Sequence, residues 1–91
     1  MIETFRHKGL AELFETGSTA KIAAALQKRI IVRLDAMDAA SDLSQLRQPG
    51  FDLHALHGKP QRYSIHVNGP WYLTFEWTNG AAWRVDLEQY H

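Results

Sequence analysis

Between residues 63 and 87 apolar side chains recur at every second position, and two glycine-bearing turns interrupt them. Tyr63, Ile65 and Val67 form one such set; Trp71, Leu73, Phe75 and Trp77 a second; Trp83, Val85 and Leu87 a third. Successive side chains of a strand point to opposite faces. A period of two therefore predicts three half-buried strands, with "NGP" at 68–70 and "TNG" at 78–80 as the turns between them. Such a sheet has one apolar and one polar face, and the apolar face must be covered by another layer.

The alternation also constrains the register. A two-residue Asn-Gly hairpin would set Ile65 opposite Tyr72 and pair an apolar face with a polar one, whereas cross-strand partners share a face. A three-residue loop with glycine in the left-handed position removes the conflict. It predicts pairs 65/73 and 63/75 in the first hairpin, and 75/83 and 73/85 in the second. The polar face then carries His66, Tyr72 and Asp86 in one row and Ser64, Thr74 and Arg84 in the next, with Arg62 facing Glu76. A five-residue second loop would instead shift the last strand by two. Tyr90 continues the parity of Arg84, Asp86 and Glu88 on the polar face.

The first half of the chain supplies the covering layer. Leu10, Leu13 and Phe14 fall at i, i+3 and i+4, so residues 8–16 read as a short helix, and Gly17 is placed to end it. Ser18 or Thr19 is positioned to cap a longer helix, whose apolar stripe is Ile22, Leu26, Ile30, Leu34 and Met37. Lys21, Lys28 and Arg29 lie off that stripe and Arg33 at its margin. "SDLSQLRQPG" reads as one more helical turn, "IETF" as a short strand candidate, and "DLHAL" as another that carries His54. The expected class is α+β: two N-terminal helices on one face of a mainly antiparallel sheet of four to five strands.

Residues 1–91 should form one domain, because a chain this short buries only ~60–65% of its unfolded surface in a single core. Ten basic and ten acidic residues balance, so any nucleic-acid binding has to rest on local patches, since phosphate contacts dominate such affinity. Cysteine is absent, which removes disulfides and thiolate metal sites. No run reaches the ~20 apolar residues of a membrane span, and "MIETFRHKG" has no signal-peptide core; a cytoplasmic location is expected.

Five segments together resemble the HigB toxins of the RelE superfamily: "HKGLAELFETG" at 7–17, "LDAMDAASDLSQL" at 34–46, "LHALHG" at 53–58, "YSIHVNGPWYLTFEW" at 63–77 and "LEQYH" at 87–91. The resemblance runs nearly end to end. It implies a microbial-RNase-like sheet with two N-terminal helices. It also implies a toxin that cleaves messenger RNA in the ribosomal A site without a cofactor, and a HigA-like helix-turn-helix antitoxin through which alone operator DNA would be engaged. His54, Tyr90 and His91 match the family's catalytic positions. Two positions depart from the family: Tyr72 stands where an arginine is usual, and Gln89 where an aspartate is usual.

Metal-free RNA cleavage uses the neighbouring 2′-hydroxyl as nucleophile. It needs a base, a phosphate donor and an acid, and histidine suits both proton roles. His54 and His91 are the candidates for proton transfer, and Tyr90 for donating a hydrogen bond or stacking on a base. With Tyr72 in place of arginine, the phosphate clamp falls to Arg84, to Lys59, or to Arg62 if it leaves Glu76. Losing one such donor typically lowers a rate by ~10²–10³, so a weak or altered nuclease is one expectation. A catalytically degenerate binding module acting through its antitoxin is the alternative. Lys21, Lys28, Arg29 and Arg33 read either as a basic helix face for ribosomal RNA or as an ordinary solvated surface. His66 beside Tyr72 reads as a cross-strand pair or a substrate contact, and Trp71, Trp77 and Trp83 as core. A zinc site from His54, His57, His66 and His91 fits no metal-ligand spacing, so no metal is expected.

Overall fold

A computed structural model describes residues 1–90. Helix α1 (Lys8–Thr16) begins at His7, whose Nδ1 accepts the backbone N–H groups of Gly9 and Leu10 at 3.0 and 3.3 Å. It ends at Gly17 in the left-handed conformation, φ 87°. Helix α2 (Ala24–Ala39) starts later than its capping candidates suggested: Ala23 holds the N-cap position and offers no side-chain acceptor. Ser18 and Thr19 serve the preceding loop instead, where the Thr19 hydroxyl donates to Glu12 and its oxygen accepts from the Lys21 N–H. The expected extra turn is a short 3-10 helix, Leu43–Leu46, closed at its start by a capping box between Asp42 and Gln45.

Four antiparallel strands follow in sequential order: β1 (His54–Leu56), β2 (Arg62–Asn68), β3 (Trp71–Thr78) and β4 (Ala81–Gln89). The "IETF" segment forms no full strand. It runs parallel along the free edge of β4, with bridges Ile2 to Ala82 and Phe5 to Val85. Four of the five expected stripe residues lie on α2, with Ile30, Leu34 and Met37 fully buried against Ile65, Val67, Leu73 and Phe75 of the sheet, while Ile22 is buried from the loop before the helix. Leu10 and Leu13 of α1 complete the same core. Trp71 and Trp77 pack against it, half-buried.

The first hairpin has the predicted pairs, Tyr63 with Phe75 and Ile65 with Leu73. One extra residue of β2 beside the turn preserves the apolar face. The second hairpin differs. Asn79 and Gly80, with φ of 53° and 72°, make a two-residue turn of the kind that favours Asn-Gly. The compensating bulge comes only at Arg84, a non-glycine residue at φ 50°. Past it the register has moved by two from the 73/85 expectation: Leu73 pairs with Leu87, Tyr72 with Glu88 and Thr74 with Asp86. Between turn and bulge the parity is inverted. Trp83 pairs with Glu76 on the polar face and is outside the core cluster, which corrects its assignment as core.

Arg33 is a second correction. It is 8% exposed, and its guanidinium donates to the carbonyls of His66 (2.6 Å), Arg29 (3.1 Å) and Gly50 (3.3 Å) while lying over the Phe51 ring. It ties α2 to β2 and the 48–51 turn and takes no part in a basic surface. Burial beside Arg29 pulls its pKa below the usual arginine value, yet the three carbonyl partners favour the charged form.

Candidate active site

The helices cover one face of the sheet and leave the other open. Two cross-strand rows cross the open face. His54, Ser64, Thr74 and Asp86 form one, and His66, Tyr72 and Glu88 the other. Ser64 and Thr74 are buried although they lie on this face. Arg62 covers them: its Nη2 donates to the Thr74 hydroxyl at 2.7 Å and to Glu88 Oε1 at 2.9 Å. The expected contact of Arg62 with Glu76 is not formed. Arg84, turned by the bulge, takes that carboxylate at 3.2 Å.

Glu88 joins Arg62 to Tyr90. The Tyr90 hydroxyl donates to Glu88 Oε2 at 2.6 Å, and the Tyr90 N–H donates to the Pro70 carbonyl at 2.8 Å, which carries the β3–β4 ladder past the end of the strand. Burial alone would raise the Glu88 carboxyl, but hydrogen bonds from Tyr90 and Arg62, with the charge of Arg62, outweigh it and hold Glu88 below the usual carboxylate range. Partial burial and the Glu88 hydrogen bond push the Tyr90 phenol up to about 12. At neutral pH Tyr90 is thus a hydroxyl donor. Its ring is the first of three that run together, with Tyr72 centred 5.3 Å from Tyr90 and 5.0 Å from His66.

His54 sits on the edge strand, its side chain 63% exposed. Its Nδ1 lies 3.0 Å from the Asp52 carbonyl and 3.6 Å from the Asp52 carboxylate. A carbonyl only accepts, so Nδ1 is the donor of this contact, and in the corresponding neutral tautomer Nε2 carries the lone pair. Three strand spacings, roughly 14 Å, separate His54 from Asp86 along their row. The Arg62 guanidinium lies between His54 and the Tyr90 end. His66 donates from Nε2 to the Gly69 carbonyl at 2.9 Å, leaving Nδ1 as its acceptor.

Of the residues singled out in the sequence, Arg62, Tyr72 and Tyr90 come together, and His54 faces them across the sheet. Lys59 lies exposed in the β1–β2 connection, and Arg84 sits at the opposite end of β4 paired with Glu76; neither joins the Arg62 group. His91 falls outside the described residues. Lys28 and Arg29 are exposed on α2, behind the sheet from the open face. Lys21 precedes that helix and pairs with Glu12 at 3.7 Å. Among the described residues no three His, Asp or Glu side chains converge as metal ligands would, and no helix is long and apolar enough to cross a membrane. Glu88 and Asp52 were not singled out. For Glu88 the available signal was its parity with Tyr90; for Asp52 it was its position two residues before His54.

The family model described as the RelE-like toxin of the type II toxin–antitoxin system HigB matches residues 3–91. Endoribonuclease HigB of Proteus vulgaris is 41% identical over 92 aligned positions, which cover the whole of both chains. The match spans both helices, all four strands and the open face with His54, Arg62 and Tyr90, and the chain belongs to the HigB family of RelE-like toxins of type II toxin–antitoxin systems.

Proposed function

We propose that this protein is an endoribonuclease that cleaves messenger RNA in the ribosomal A site and is held in check by a HigA-like helix-turn-helix antitoxin. The observation that carries this reading is the line of His54, Arg62 and Tyr90 across one open face, in a chain 41% identical to a relative named as an endoribonuclease. RNA crossing that face meets the exposed Nε2 of His54, which takes the proton of the attacking 2′-hydroxyl. Asp52 holds the ring in the required tautomer. Arg62 supplies the phosphate donors that position 72 lacks, which requires the phosphate to compete with Glu88 for its guanidinium. Tyr90 donates a hydrogen bond to the developing charge, and His91 is the candidate acid for the leaving oxygen. Lys28 and Arg29, facing away from the sheet, suit contact with ribosomal RNA.

Expression without an antitoxin tests the reading. Growth should stop and transcripts should be cut within the A site, and His54→Ala should lower cleavage by ~10²–10⁴ without loss of the fold. Unimpaired growth with intact transcripts would sink it. A second reading, a degenerate toxin acting through its antitoxin, is favoured by one observation: the only arginine in the Arg62, Tyr72 and Tyr90 group is tied to a carboxylate. Restoring Tyr72→Arg separates the two, because cleavage that appears only in the restored chain assigns the native one to the second reading.

A further inference from the structure

The inverted parity between the Asn79–Gly80 turn and the Arg84 bulge has a chemical consequence. It takes Trp83 out of the core and sets it on the open face opposite Glu76. Arg84 holds φ 50° to do so, a conformation that costs a non-glycine residue of order 1–3 kcal/mol and tends to persist at functional sites. The N-terminal segment braces the bulge: the Arg84 N–H donates to the Thr4 hydroxyl at 2.8 Å, and the Val85 and Arg6 N–H groups bond across the same edge.

The result is a cleft of about 610 Å³ lined by Thr4, Phe5, Arg6, Trp83 and Arg84, within the size range of small-ligand pockets. An indole forms part of its wall, anchored by an N–H donated to the Thr78 carbonyl at 3.3 Å. Two arginines line the same cleft. Arg84 touches Glu76 through one nitrogen at 3.2 Å, and Arg6 approaches Asp86 only to 4.0 Å. Their side chains are 62% and 70% exposed. Each arginine has five N–H donors, so most of theirs remain for a ligand. A flat aromatic beside two guanidiniums is the combination that holds single-stranded nucleic acid, with the base on the ring and the phosphate on the arginines.

We infer that the Trp83, Arg84 and Arg6 cleft is a nucleotide subsite that binds a residue of single-stranded RNA flanking the one at the Arg62 and Tyr90 group, roughly 16 Å further along β4 from Glu88. The subsite rests on the RNA substrate proposed above, and it adds affinity and placement without chemistry. It also answers how a chain with no net charge holds RNA: stacking supplies part of what a basic excess otherwise would.

The test is the full-length protein titrated with a short 2′-O-methyl single-stranded RNA, which lacks the nucleophile and stays intact, read by fluorescence anisotropy over a range of salt. Trp83→Ala should weaken binding roughly 5- to 100-fold, and Trp83→Phe should keep most of it. Arg6→Ala should weaken binding and lower the salt slope by roughly 0.7. Wild-type affinity in a natively folded Trp83→Ala protein overturns the inference. Should that variant fail to fold, an Arg6→Ala protein with unchanged affinity and slope overturns it equally. Binding that depends on Trp83 in a chain that never cleaves RNA retains the subsite and discards only the nuclease. Cleavage with Trp83-independent binding does the reverse.

Discussion

Replacing Glu88 with glutamine isolates the contact that organises the open face. Glu88 accepts from Arg62 at 2.9 Å and from Tyr90 at 2.6 Å. Glutamine keeps the shape and removes the charge, so Arg62 keeps Thr74 but loses its counter-ion. A charge-assisted hydrogen bond contributes about 1.5–3 kcal/mol when buried, whereas an exposed pair contributes about 0.2–1 kcal/mol. Side-chain exposures of 31% for Arg62 and 26% for Glu88 place the pair between these limits, at about 1–1.5 kcal/mol. For a chain of this size that lowers Tm by about 4–12 °C. The pH dependence has a definite sign. Glu88 sits below its ordinary range in the folded state, so its contribution is complete above the unfolded carboxyl value of about 4.3. It is lost as the pH falls through the folded value. Thermal melts of Glu88→Gln and wild type should therefore differ at pH 7 and converge as the pH falls through that lowered value. Coincident melts at pH 7, or a gap that does not narrow at all as the solution is acidified, would show that the charge on Glu88 does not hold the face together.

Ultraviolet titration of the three tyrosines should show one phenol ionising at about 12, absent in Tyr90→Phe and lowered toward about 10 in Glu88→Gln. Because that value is raised on folding, the associated stability is complete below the unfolded value of about 10 and is lost as the pH rises through the folded one. Gly80→Ala should cost about 2 kcal/mol in chemical denaturation: φ is 72° and the added carbon would meet the Ser41 carbonyl at 3.1 Å. Gly69→Ala, at φ 55° with nothing within 4 Å, should cost about half as much; equal losses would remove the contact from the account. Arg33→Ala strands three carbonyls and should destabilise by about 2–4 kcal/mol, whereas Arg29→Ala on the exposed side of α2 should stay within about 0.5 kcal/mol and affect only ribosome association.

The elements were legible because their causes are local. A period of two marks strands, an i, i+3, i+4 stripe marks α1 and α2, and Gly17 and Asn79-Gly80 require backbone conformations that few other residues adopt easily. The two-layer arrangement follows, since a sheet with one apolar face has to be covered. His54 and Tyr90 stood out through the family resemblance, not through periodicity. Tertiary structure decided what lay between them. The bulge at Arg84 is held by Thr4, eighty residues away in sequence, and no pattern within β4 announces it. Yet that one extra residue returned Val85 and Leu87 to the apolar face after the two-residue turn had set Trp83 outward, gave Glu76 to Arg84, and together with that turn moved β4 by two so that Glu88 lies opposite Tyr72. Arg33 likewise reads as a surface cation until the carbonyls of Gly50 and His66 converge on it. Local preferences set which residues form strands and helices. Which arginine meets which carboxylate depends on backbone groups distant in sequence, and those meet only once the sheet has closed.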